Sequence, residues 1–106
     1  MRLEGKTAVI VGAGQSPGEG LGNGRATALR FAREGARVLA VDRNIASAEE
    51  TAQMVRAEGG QCGAYEADVT RESTLAGAIE HARNLWGWID ILHKNDKIWL
   101  RRILRT

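Results

Sequence analysis

The sequence predicts a three-layer α/β/α domain built on a parallel sheet, and two observations carry that expectation. Four short, largely apolar runs, Thr7 to Val11, Arg37 to Val41, Gln61 to Glu66 and Ile89 to Leu92, alternate with three longer segments whose small and apolar side chains recur at helical spacing. A strand buried on both faces reads as a continuous apolar run, and strands that alternate with helices pair in parallel through crossover connections. The second observation is a crowd of glycines between the first strand and the first helix, six of them from Gly12 to Gly24.

Each element has its own signals. Thr7 to Val11 is five residues long and ends at a glycine. The first helix is expected over Asn23 to Glu34, rich in Ala and Leu, with Gly35 placed to end it in a left-handed conformation. Arg37 to Val41 repeats the pattern of the first strand. Asn44 or Ser47 can cap the second helix, and Glu50 three residues beyond Ser47 fits a capping box. Ala48, Ala52 and Val55 share one face of that helix, which Gly59-Gly60 ends. Gln61 to Glu66 is the weakest strand, with Cys62, Ala64 and Tyr65 as its packing residues. Thr70 can cap a third helix carrying Leu75, Ile79, Ala82 and Trp86, which Gly87 closes before the fourth strand.

Composition excludes several functions. The chain has 106 residues, enough for one modest core. It has no apolar run approaching about 18 residues, so no membrane span is expected. Met1 to Lys6 lacks the apolar core of an export signal. A single cysteine, Cys62, forbids an internal disulfide and fits a cytoplasmic setting. The net charge of +2 is uneven. From position 94 onward stand Lys94, Lys97, Arg101, Arg102 and Arg105 against Asp96 alone, so the body before them is slightly acidic and no nucleic-acid partner is expected.

The glycine-rich turn is the first candidate site. A helix N-terminus offers unpaired N–H groups and partial positive charge to an anion, and glycines let a phosphate come close to the backbone. A pyrophosphate there would face the amides from about Asn23 to Ala26. The spelling is neither G-x-G-x-x-G, because Pro17 stands at its last position, nor a P-loop. Glycines alone fit a surface loop equally well; their place between strand and helix, with Asp42 ending the next strand, favours a dinucleotide. Asp42 lies 18 residues after Gly24 and could accept the hydroxyls of an adenosine ribose while repelling a 2′-phosphate. The neighbouring Arg43 could tolerate such a phosphate. These residues favour NAD, with NADP as the alternative cofactor.

The stretch from Leu3 to Gly14, followed by Gly22, Gly24 and Arg25-Ala26-Thr27-Ala28, resembles the opening of the short-chain dehydrogenase/reductase family. Arg33-Glu34-Gly35-Ala36-Arg37-Val38, Ala67-Asp68-Val69-Thr70 and Trp88-Ile89-Asp90-Ile91-Leu92 resemble its later segments. The family's turn is T-G-x-x-x-G-x-G. Here Val11 replaces the Thr, and nine residues separate Gly12 from Gly22 where the family has three. The resemblance implies a partial Rossmann fold over residues 1 to 93, with four parallel strands in the order 3-2-1-4. It also implies cofactor contacts from Gly12, Gly14, Gly22, Asn23, Gly24, Asp42, Arg43, Asp68, Val69 and Asn95, the adenine lying near Asp68 and Val69.

The resemblance fades where the family continues N-N-A-G and this chain reads Lys94-Asn95-Asp96-Lys97. Residues 94 to 106 are therefore expected to be a basic tail outside the family pattern. It is either an amphipathic helix lying on a membrane or on the sheet, or the product of a truncation or a slipped reading frame near codon 94; the second is favoured. The fourth strand should then be an unpaired apolar edge, inviting self-association and lowering stability. The family's chemistry uses a Tyr as acid or base, a Lys four residues later that lowers the phenol's pKa, and a Ser that polarises the substrate. The only tyrosine here is Tyr65, followed four residues on by Val69, so no catalytic residue is assigned. His81 is expected in solvent, and His93 near the ligand-side end of the sheet. No metal site is expected. Three functions remain: a cofactor-binding remnant of an NAD-dependent oxidoreductase with no substrate of its own, a non-catalytic nucleotide-binding or regulatory module, and an S-adenosylmethionine-binding protein. The last usually has an acid before its glycines, where this chain has Val9-Ile10-Val11.

Overall fold

A computed structural model of the chain describes residues 2–14, 23–68, 72–94 and 97–100. Its elements are β1 (Thr7–Val11), α1 (Asn23–Arg33), β2 (Arg37–Asp42), α2 (Ile45–Ala57), β3 (Gln61–Glu66), α3 (Glu72–Trp86), β4 (Ile91–Lys94) and β5 (Lys97–Leu100). They form one sheet in the order β3-β2-β1-β4-β5, parallel over the first four strands and antiparallel between β4 and β5.

Alternation along each strand splits the core into two layers. Ala8, Ile10, Val38, Ala40 and Ile91 face α1 and α2, where Ala28, Leu29, Ala48, Ala52 and Val55 meet them. Val9, Val11, Leu39, Val41 and Leu92 face α3, where Ala78 and Ala82 meet them. The small helix residues let the helices approach the sheet closely. All five residues of β1 are buried, as a strand bonded on both sides and covered on both faces must be. Among the described residues no helix is long and apolar enough to cross a membrane.

Local signals explain the element ends. The Asn44 side chain accepts from Ser47 N, so Asn44 caps α2, the first of its two expected candidates. Gly35 has φ +98° just past α1, the left-handed turn expected there. The expected cap Thr70 lies outside the described residues. His81, expected in solvent, is half-buried instead, its ring 5.0 Å from that of Tyr65. The spacing that placed it on α3 did not reveal that its ring would lie beside that of Tyr65, a residue already expected to pack.

The fourth strand differs from expectation in two ways. It begins at Ile91 rather than Ile89, because Asp90 is spent on a crossing. Its Oδ2 accepts from Thr7 N and Trp88 Nε1, both at 2.9 Å, and Asp90 N donates to Thr7 O. Nor is β4 an open edge. Leu100 pairs with Ile91, Trp99 with Leu92, Ile98 with His93 and Lys97 with Lys94. Residues 97–100, read from the sequence as part of a tail, are a strand of the sheet, and association through an unpaired β4 is thereby corrected. The physical reason is proximity: two residues separate β4 from β5, so this pairing closes the shortest loop available to the ladder groups that β4 would otherwise leave bare.

Two outcomes are expected. Replacing Asp90 with Ala leaves the N–H of the fully buried Thr7 without its acceptor and should lower stability by about 1–3 kcal/mol in urea unfolding; an unchanged midpoint would show that the crossing is not needed. Burial pushes the Cys62 thiol up to about 11 from an ordinary value of 9.0. Its contribution to stability is full below about pH 9 and is lost as pH rises toward about 11, because the unfolded chain sheds the proton first. Wild type should therefore lose stability more steeply than a Cys62→Ala variant across that window, by on the order of 1 kcal/mol per pH unit; parallel curves would contradict this.

Candidate functional site

The ligand-side end of a parallel sheet is where its strands stop and its helices begin. Here β1 ends at Val11, and the chain turns back onto β2. Gly12 N and Ala13 N both donate to Val41 O, at 2.8 and 3.0 Å. Gly12 has φ +77°, a conformation that glycine adopts without strain. At the start of α1, Gly24 packs against this turn, and a Cβ at Gly24 would collide with the carbonyl of Gly12. The two glycines thus set backbone against backbone, bringing the first turn of α1 against the end of β1.

Asp42 closes the other side. It is half-buried at the end of β2. Its Oδ2 accepts from Gly14 N at 3.0 Å, and its Oδ1 accepts from Asn44 N at 2.9 Å. Its carbonyl accepts from Ala67 N at 3.1 Å, so the end of β3 is tied to the same residue. Gly14 is itself confined: a Cβ there would meet the Ser47 side chain and lie 2.9 Å from Asp42 Oδ2. Each carboxylate oxygen carries one main-chain bond and keeps lone-pair capacity for another donor.

The residues singled out from the sequence are distributed as follows. Gly12, Gly14, Gly24 and Asp42 converge on this one turn. Arg43 is exposed directly after Asp42, and Asn23 opens α1. Asp68 is half-buried two residues past β3 and is engaged by other groups. Gly22, Val69 and Asn95 lie outside the described residues, as does most of the insertion between Gly12 and Gly22. His93 is buried at the end of β4, and its Nδ1 has no partner among the described residues. Tyr65 packs in the α3-side core, as expected of a packing residue. Among the described residues no group of three or more His, Cys, Asp or Glu side chains could hold a metal.

Sequence reasoning passed over the groups behind the turn. Arg25, third residue of α1, is 6% exposed. Its Nε donates to Thr51 Oγ1 at 2.9 Å, and one terminal nitrogen reaches Ser47 O at 3.3 Å and Glu50 Oε1 at 2.8 Å. Thr51, fully buried, donates from Oγ1 to Ala13 O at 2.7 Å. A signal did exist. A cation in the first turn of a helix opposes the helix dipole, so an arginine there calls for a partner on a neighbouring element.

The chain is similar to known proteins. The sequence matches the short chain dehydrogenase family over residues 6–100. It is 43% identical over 94 residues to the uncharacterized oxidoreductase YxbG of Bacillus subtilis, covering 89% of this chain and 32% of that protein. It is 35% identical over 100 residues to the short-chain dehydrogenase/reductase homolog YusS of Bacillus subtilis, covering 92% of this chain and 85% of that one. A crystal structure of a short-chain dehydrogenase/reductase from Burkholderia xenovorans superposes with a TM-score of 0.81 at 46% identity, covering 89% of this chain and 37% of that chain. The chain thus spans about a third of the length of YxbG and of the crystal structure, and most of YusS. With the sheet order 3-2-1-4 of its parallel strands in place and the family match running from β1 through β5, this chain belongs to the short-chain dehydrogenase family.

Proposed function

We propose that the turn between β1 and α1, together with Asp42, binds a nicotinamide dinucleotide, NAD in preference to NADP. On this reading the 106 residues carry the cofactor side of an oxidoreductase acting between an alcohol and a carbonyl. The family's members typically bind NAD(P). The observation that carries the reading is the half-buried carboxylate of Asp42, held beside the turn by Gly14 N.

The residues present fit such a group. The close approach of Gly24 to Gly12 needs bare backbone, and it brings the amides of Asn23 to Arg25 to the turn, where pyrophosphate oxygens would be met. The free lone pairs of Asp42 would accept the adenosine ribose hydroxyls, and its charge would repel a 2′-phosphate. Exposed Arg43 is the group through which NADP would be tolerated. Gly12, Gly14 and Gly22 would line the phosphates, Asp68 and Val69 the adenine, and Asn95 the far side of the cofactor. When bound, the nicotinamide donates or accepts a hydride.

No Tyr-x-x-x-Lys occurs in these 106 residues, and the ring of Tyr65 is packed against His81. We therefore read these 106 residues as a cofactor-binding part and assign no catalytic residue among them. A second reading is a non-catalytic nucleotide-binding or regulatory module. S-adenosylmethionine is the least favoured ligand, because no acid precedes the glycines on β1. A cytoplasmic setting belongs to the proposal, since the lone Cys62 is a free buried thiol.

Titration of the chain with NAD, NADP and S-adenosylmethionine tests the reading. NAD should bind tightest, and Asp42→Ala should weaken it about tenfold while narrowing the gap to NADP. Tighter binding of S-adenosylmethionine, or alcohol-dependent reduction of NAD by the chain, would contradict it.

A further inference from the structure

We infer that Arg25 and Thr51 are positioning residues that orient Asp42 through the peptide between Ala13 and Gly14. The inference deepens the dinucleotide reading and rests on it for its ligand consequence. The carbonyl of Ala13 and the N–H of Gly14 belong to one rigid peptide plane and point in opposite directions. Thr51 Oγ1 donates to that carbonyl at 2.7 Å, and Asp42 Oδ2 accepts from that N–H at 3.0 Å. The peptide is thus held from both sides, by α2 on one and by the end of β2 on the other.

A hydroxyl has a single proton, and two acceptors lie within reach of Thr51. Ala13 O is at 2.7 Å, and Ser47 O, one helical turn back, is at 3.3 Å. Arg25 biases the choice. Its Nε occupies a lone pair of Thr51 Oγ1 while its terminal nitrogen engages Ser47 O, leaving the Thr51 proton directed at Ala13. The guanidinium is buried in the first turn of α1, where the helix dipole disfavours a cation. Glu50 answers it from a mostly exposed side chain. Stability alone is poorly served by such a charge in such a place. The directed chain from Arg25 through Thr51 to the 13–14 peptide and Asp42 accounts for it.

On the opposite end of the same two helices, Arg33 meets Glu58 in a two-pronged, exposed pair at 2.8 Å. That pair joins α1 to α2 away from the ligand-side end and serves as an internal control. Its loss should loosen the helices without disturbing the peptide.

The test uses the full chain and three variants, Arg25→Met, Thr51→Val and Thr51→Ser, with Arg33→Met as the control. Amide hydrogen exchange at Gly14 is read against sheet amides such as Val9 and Leu39, which report global opening. Dissociation constants for NAD are measured on the same samples. Arg25→Met and Thr51→Val should each speed Gly14 exchange about tenfold beyond any change at the sheet amides and weaken NAD about tenfold. Thr51→Ser, which keeps the hydroxyl, and Arg33→Met should stay near wild type in both. Gly14 exchange that merely follows the sheet amides overturns the inference, as does faster Gly14 exchange with NAD affinity unchanged. A wild-type chain that binds neither NAD nor NADP removes the dinucleotide reading instead; the exchange pattern alone then decides whether Arg25 and Thr51 hold Asp42 in place.

Discussion

Strand β1 is bonded along both sides, to β2 and to β4, and all five of its residues are buried. A strand so enclosed fixes where the chain must emerge and leaves little freedom in how it leaves. The turn beyond Val11 is drawn sideways onto the end of β2 by two amides that share the Val41 carbonyl. The helix that follows can pack only if Gly24 offers no side chain to the Gly12 carbonyl. From this contact follow the positions of α1, of the Asp42 carboxylate and of the open lone pairs around it.

The parts of the fold set by burial could be read from the residues. Thr7 to Val11 and Arg37 to Val41 are continuous apolar runs because both faces of those strands are covered, and runs of only five or six residues are too short for a buried helix. Ala48, Ala52 and Val55 marked the buried face of α2 for the same reason. Pairing was harder to read than burial. Nothing in the composition of Lys97–Leu100, one lysine followed by three bulky apolar residues, fixes it as a strand rather than part of an amphipathic helix; the strand forms because β4 ends two residues earlier with its ladder groups unmet. The displaced start of β4 has a similar origin, since an aspartate in an apolar run gives no sign that its carboxylate bonds a strand more than eighty residues away.

The candidate site divides along the same line. Its glycines and its acid were legible because each answers a demand that one residue type meets: a left-handed turn at Gly12, bare backbone at Gly24, a carboxylate at the end of β2. Thr51 was not, because a threonine on a helix face beside Ala48 and Ala52 reads as one more core position until the Ala13 carbonyl is seen to lie against it. Arg25 was passed over as part of the helix start, although a cation at the positive end of a helix invites a question. On the proposed reading these residues would form a rigid seat for a nucleotide, built from main-chain groups and the carboxylate of Asp42.

The central claim is that the seat lies at the junction of β1, α1 and β2. Amide chemical shifts recorded by NMR during addition of NAD test it most directly. The account predicts the largest changes at Gly12 to Gly14, Asn23 to Arg25 and Asp42 to Asn44, with Gly35, Gly60 and Gly87 at the far end of the sheet left unmoved. Changes centred on that far end, or none at the junction at saturating NAD, would contradict it.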